Sequence, residues 1–327
     1  MSINSPSQGG ESFGNSDENN VESRQDLWFS TTAGLAALAL VVGKAEAAGT
    51  ATTTAAVEAE EAVEKKRVIT NPRIEIMEGH NMPPGFIRSR IYADIDGHRT
   101  TIGSIFFLDG PEAKADLITR QTHPQFFDQR GVPDFEAVQR SRTTEGGSTA
   151  LLVAGAYLNP DGGGIKGVAL ENGVMVGQQT PTHDYNGILV IKDGIPSIEY
   201  LNQIPDIDQF LEEAKREGWH LFQQTSYIRP GGKFTTRKPD KYDLRFFVEG
   251  EGRRAVINLS VPMTYAEGVP VIENLDGLNI EKAIGLDTGS LSEGYLYDKE
   301  GEDYLMNDQR FGAGSNYTNL LELYSGE

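Results

Sequence analysis

Ala283-Ile284-Gly285-Leu286-Asp287-Thr288-Gly289-Ser290 is the stretch on which the reading of this chain turns. It reads as a short buried strand that delivers an aspartate into a tight Thr-Gly-Ser turn. An apolar run closed by a carboxylate and a glycine places a charged group at a strand tip. There the scaffold is rigid and the loop backbone is free to meet a ligand. The plainer reading of the same eight residues is a strand followed by an Asp/Gly turn, with Asp287 capping its own turn.

The composition around that stretch bounds what the chain can be. Of 327 residues, 38% are hydrophobic and 24% charged, enough apolar material for one large domain or two smaller ones. The formal net charge of -19 opposes binding to nucleic acid or to an anionic membrane surface. With no cysteine, disulfides, thiolate chemistry and Cys-based zinc sites are excluded. The 37 glycines favour a turn-rich β architecture.

Residues 1–26 are Ser, Asn, Gly, Glu and Gln with few apolar side chains, and read as a disordered N-terminus. Residues 27–48 contain the uncharged, increasingly apolar run LWFSTTAGLAALALVVG and then small residues that suit a cleavage site. This segment reads as an export signal or membrane anchor, which would place the protein outside the cytoplasm. Its leader is long and acidic, and the run is short against the ~20 residues of a spanning helix, so a plain Ala/Leu helix in a cytoplasmic protein stays open. Residues 49–66 form an Ala/Thr/Glu-rich linker.

The folded region is predicted over 67–327. Alternating apolar runs bracket Asp96-Gly97, a hairpin signal. Short helices are predicted over 111–120 and 133–142, then an antiparallel meander of short strands separated by Gly-rich turns. Residues 206–217 place Ile207, Phe210, Leu211 and Ala214 on one helical face, with Asp206 as cap and Gly218 as stop. Residues 219–227 read as one strand and 264–275 as a helix interrupted by Gly268 and Pro270. The fold class is α+β, a mixed or antiparallel sheet core with a few packing helices.

Local motifs carry little chemistry. The histidines His80, His98, His123, His183 and His220 show no HxH or HExxH spacing. There is no GxSxG elbow, P-loop or dinucleotide fingerprint, and Gly162-Gly163-Gly164 lies between strands rather than at a helix start. An acidic chain can hold Ca²⁺ through loop carboxylates, but Asp161 and Asp298 form no recognisable calcium loop. No cofactor is therefore expected.

The order of the elements is more specific. Val153-Ala154-Gly155-Ala156-Tyr157-Leu158 is followed by Gly167–Gly173, Gly187–Gly194, Gln223–Tyr227 with Gly231-Gly232-Lys233, Arg253-Arg254-Ala255-Val256, and finally the Asp287 stretch. This order resembles the phosphodiester glycosidase family, loosely from Val68 and best from Leu151 to Tyr324. Gly155, Tyr157, Arg253, Leu286, Asp287, Gly289 and Ser290 fall on family motif positions. Ala154 and Gly285 stand where the family has asparagines, and Ala156 and Thr288 where it has glycines.

The resemblance implies a hydrolase that cleaves a sugar-1-phosphodiester linkage of a glycan, an exopolysaccharide or another cell-envelope polymer. In that role Arg253 would clamp the phosphate. Asp287 would act as general base or as electrostatic partner of the sugar. Ser290 and the Gly289 amide would donate to a non-bridging oxygen. Tyr157, beside Gly155, would stack on a sugar face. The altered motif positions leave a second function class, a non-catalytic carbohydrate-binding or envelope-structural protein on the same fold, and a third, a scaffold of an acidic surface layer. The expected partner is a glycan or sugar-phosphate polymer, with no nucleic acid, and with membrane contact only through the N-terminal segment.

Overall fold

A computed structural model describes residues 67–76, 82–159, 164–233, 240–288, 294–296, 304–305 and 318–326. The segments read as N-terminus, signal or anchor and linker lie outside these residues, as do Gly289 and Ser290. In chain order, β1 (Ile69–Ile76), β2 (Phe86–Ile95), β3 (His98–Leu108) and β4 (Ala113–Thr119) precede α1 (Phe135–Thr144). Then come β5 (Ser148–Ala154), β6 (Ala169–Glu171), β7 (Val174–Met175), β8 (Gly187–Lys192) and β9 (Ile195–Tyr200). α2 (Ile207–Arg216) leads into β10 (His220–Gln224), β11 (Ser226–Arg229) and β12 (Gly232–Lys233). β13 (Tyr242–Gly250), β14 (Arg253–Met263), α3 (Tyr265–Glu273), β15 (Lys282–Gly285), β16 (Gly294–Leu296), β17 (Tyr304–Leu305) and β18 (Asn319–Ser325) complete it.

The strands form three sheets, ordered β1-β2-β3-β14-β13-β15-β11-β12, β7-β6-β10-β8-β9 and β17-β16-β5-β18-β4. Every pair of named strands is antiparallel, so the class is α+β with predominantly antiparallel sheet. Turn chemistry produces this. At Asp96-Gly97, Asn172-Gly173 and Asp193-Gly194 both central residues have positive φ, the geometry that matches the twist of two paired strands. The same holds at Glu251-Gly252, which closes the β13–β14 hairpin.

One core lies between the three sheets. Phe106, Phe247, Val256 and Ile284 of the largest sheet meet Leu189, Ile191 and Phe222 of the second, and Leu151, Val153 and Leu321 of the third. Each sheet has a separate apolar cluster on its other face, and each cluster is supplied by one helix. Val269 and Ile272 of α3 join the largest sheet. Phe135 and Val138 of α1 join Leu152 and Leu320. Leu211 and Ala214 of α2 join Val190 and Leu221.

Two predicted elements need correction. Residues 111–120 are not helical: β4 pairs with β18 from Ala113↔Ser325 to Thr119↔Asn319. Ala and Lys suit a helix, but Ala113, Ala115 and Leu117 are buried at alternate positions, a period of two. The expected strand over 219–227 is two strands in different sheets. Gln224 pairs with Gly187 of β8, whereas Ser226 pairs with Ile284 of β15. The chain turns the corner at Thr225. The helix of 206–217 is α2, with the Asp206 carboxylate accepting from the Gln209 N–H at 2.9 Å. α1 is capped by Asp134, and α3 carries a capping box of Thr264 and Glu267 that holds its start despite Pro270. No described helix is long and apolar enough to cross a membrane.

Candidate active site

The Thr225 corner, the end of β5 and the end of β15 meet at one point, and Asp287 stands there. The Gly285 N–H donates to the Thr225 carbonyl at 3.0 Å, and the Leu286 N–H to the Arg245 carbonyl at 2.9 Å. The Asp287 N–H then donates to the Gly155 carbonyl at 3.0 Å. The segment therefore leaves the largest sheet and attaches to the residue following β5. Gln224, fully buried, donates its side-chain amide to the same Gly155 carbonyl at 3.2 Å. Asn319 clamps the next residue from both sides, its Oδ1 accepting the Ala156 N–H at 2.6 Å and its Nδ2 donating to the Ala156 carbonyl at 3.1 Å. Backbone hydrogen bonds thus fix Asp287 against the start of the Gly155-Ala156-Tyr157 turn.

Burial pushes the Asp287 carboxyl up to about 7, against the opposing pull of the Thr288 N–H and the positive charge of Arg245. Asp287 Oδ1 accepts the Thr288 N–H at 2.9 Å, and its side chain remains half-buried. Arg245 lies on β13 and is almost wholly buried, with its guanidinium 3.5 Å from the Asp287 carbonyl. A buried guanidinium beside a carboxyl that titrates near neutrality is a combination typical of functional sites.

Four tyrosines cluster beside Asp287, with Tyr157 and Tyr185 nearest its charge. The Tyr157 hydroxyl lies 3.2 Å from that of Tyr265, the first residue of α3. Tyr265 stacks on Tyr227 at 4.5 Å, nearly parallel, and Tyr185 packs on Tyr157 at 5.5 Å. Burial raises the Tyr157 phenol well above its ordinary value, aided by the neighbouring Tyr265, Tyr227 and Asp287. Burial pushes Tyr185 up to about 12, and the Asp287 charge adds to it. These phenols therefore stay protonated at neutral pH and act as hydrogen-bond donors and apolar walls. Gly285 makes the cluster possible: a Cβ there would stand 2.5 Å from the Tyr157 hydroxyl and 2.8 Å from the Tyr227 ring.

The structure brings Asp287, Gly155 and Tyr157 together and keeps Arg253 apart. Arg245 pairs with Asn258, and Gly250 with Arg253. Arg253 is thus five residues along β14 from the Arg245 level, about 17 Å at strand rise. Its guanidinium lies 4.0 Å over the Phe107 ring and 3.7 Å from Asp109. The side chain cannot span that distance, so Arg253 stands apart from Asp287, Gly155 and Tyr157. Ala154 is buried with Phe135 and Val138 of α1, on the face of its sheet turned from the shared core.

Arg245, Tyr185, Tyr227 and Tyr265 are the members that sequence reasoning missed. Arg245 had a signal, a lone charge inside the apolar strand Leu244-Arg245-Phe246-Phe247-Val248. The tyrosines had none, because long-range pairing alone collects them. Among the described residues, no group of three or more His, Asp or Glu side chains stands where it could hold a metal ion.

No protein-family model and no curated protein sequence matches the chain. Solved structures weakly similar to this chain include the catalytic domain of zebrafish N-acetylglucosamine-1-phosphodiester alpha-N-acetylglucosaminidase, auto-inhibited by its pro-peptide. It is 14% identical, with a TM-score of 0.49, covering 79% of this chain and 87% of that one. A hypothetical protein from Synechocystis is 9% identical, with a TM-score of 0.44 over 78% of this chain and 68% of that one.

Proposed function

We propose that the chain is a phosphodiester glycosidase-like hydrolase that cleaves a sugar-1-phosphodiester linkage of a glycan or cell-envelope polymer. The observation that carries this reading is Asp287, a half-buried carboxyl poised near neutrality, set between a buried guanidinium and a tyrosine cluster. In this reaction water adds to the anomeric carbon and the bond from that carbon to the phosphate oxygen breaks. The phosphate leaves as an anion and needs no proton from the enzyme. The group required is one that takes a proton from water or balances positive charge on the sugar, and Asp287 does either as a carboxylate. Activity then rises with pH through about 7, as Asp287 ionises. Tyr157 and Tyr185 supply aromatic surface and phenol donors for the sugar.

A second reading, glycan binding without hydrolysis, draws on the engagement of Arg253 with Phe107 and Asp109, which removes the expected phosphate clamp from the site. Assaying sugar release from an N-acetylglucosamine-1-phosphodiester model compound separates the two. The hydrolase reading predicts release by the wild type, a fall of roughly 100-fold or more in Asp287→Asn, and little change in Arg253→Ala. Binding of glycan with no release above background would establish the second reading instead.

A further inference from the structure

With Arg253 away from the site, Lys166 is a cation that the fold places at its edge. The Lys166 N–H donates to the Tyr157 carbonyl at 2.8 Å, next to the bridge between Leu158 and Ile165. Its backbone is therefore fixed beside Tyr157. Its ammonium lies 4.9 Å from the centre of the Tyr185 ring and 3.5 Å from the Asp184 carboxylate. Tyr185 links the lysine to the site, since its ring packs on Tyr157 and its phenol feels the Asp287 charge.

This platform is held by a third residue. Gln223, fully buried on β10, accepts the N–H groups of Thr182 at 2.9 Å and Val168 at 3.2 Å through its side-chain oxygen. Its side-chain nitrogen donates to the carbonyls of Thr182 at 2.7 Å and of Tyr185. Those four bonds use the whole hydrogen-bonding capacity of the amide. The loop 182–185 is tied to the sheet, and Tyr185 is held where Lys166 covers it.

The Lys166 side chain is 28% exposed and its partner Asp184 is 72% exposed. An ion pair of that kind, at 3.5 Å in solvent, contributes little. A substrate phosphodiester carries one negative charge on two non-bridging oxygens, which accept from the ammonium in place of the exposed Asp184 carboxylate. Lysine acts towards phosphate as a point charge on a flexible stem, and here the ring of Tyr185 limits where that charge can go.

We propose that Lys166 holds the phosphate of the substrate at the Asp287 site, with Tyr185 as its platform and Gln223 as the positioning residue beneath the loop. The proposal rests on the reading that this site takes a sugar phosphate. Its alternative is a lysine that only pins the loop.

Calorimetric titration of the wild type, Lys166→Gln and Lys166→Arg with N-acetylglucosamine 1-phosphate, N-acetylglucosamine and inorganic phosphate decides between them. Thermal melts check that each variant is folded. The expected result is that Lys166→Gln loses about tenfold in affinity for the sugar phosphate, keeps its affinity for the neutral sugar, and is largely rescued in Lys166→Arg. Equal losses for charged and neutral sugar would make Lys166 a loop pin and overturn the proposal. Unchanged affinity for all three ligands would overturn it too. Binding of inorganic phosphate that Lys166→Gln abolishes, with no affinity for either sugar, would uphold the lysine and sink the hydrolase reading.

Discussion

Asp287 binds its proton differently in the folded and unfolded chain, and the consequence is measurable without any substrate. Its folded value is about 7, against about 3.9 for an unfolded aspartate. The folded state therefore holds the proton more tightly. The stability this contributes is full below about pH 4 and is lost as pH rises through about 7. Asp287→Asn keeps a neutral group at every pH. The variant is expected to be more stable than the wild type at pH 8, by on the order of 2 kcal/mol, with the gap closing by pH 4. Urea titrations at the two pH values check this, and equal stabilities at pH 8 would contradict it. The sequence pointed to Asp287, Gly155 and Tyr157 because each lies at or near the end of an apolar run. It also pointed to Arg253, which the structure places apart from them. A motif position states a residue type, whereas strand register decides which end of the sheet that residue occupies. Gly285 shows the same limit, since only the folded chain reveals the Tyr157 hydroxyl and Tyr227 ring standing over it.

Elements were legible where their periodicity and punctuation agreed. α2 has an apolar face, an Asp cap and a glycine stop, and all three appear in the structure. β4 was obscured because alanine and lysine favour helix while the burial pattern alternates, and pairing with β18 outweighed propensity. The β10–β11 corner was hidden because Gln223, Gln224, Thr225 and Ser226 carry no breaker residue. Their polarity was itself the signal, for these side chains are buried and the glutamines tie the site's loops to the sheets. Asn319, the first residue of β18, does the same for the turn after β5. Asn319→Ala leaves the Ala156 N–H and carbonyl without these partners, and a loss of about 2–3 kcal/mol is expected in chemical denaturation. Activity should fall further than stability, because Tyr157 follows Ala156 directly. A variant as stable and active as the wild type would remove Asn319 from the account.

Across the molecule, three sheets share one core and each turns a second face to a single helix. That plan was only partly legible. The glycine content and turn spacing indicated antiparallel β-structure, but nothing local states which strands share a sheet, or that the chain changes sheets at Thr225. The site is a product of that arrangement, since Gly155, Thr225 and Asp287 come from separate strands that meet only at the junction. We propose that this junction holds a functional carboxyl. Its most direct test is a residue-specific ¹³C NMR titration of the Asp287 carboxyl in the intact protein, with and without N-acetylglucosamine 1-phosphate. The expected midpoint is near 7 and moves upward when the anionic ligand binds beside it. A midpoint near 4 that ignores the ligand would contradict it.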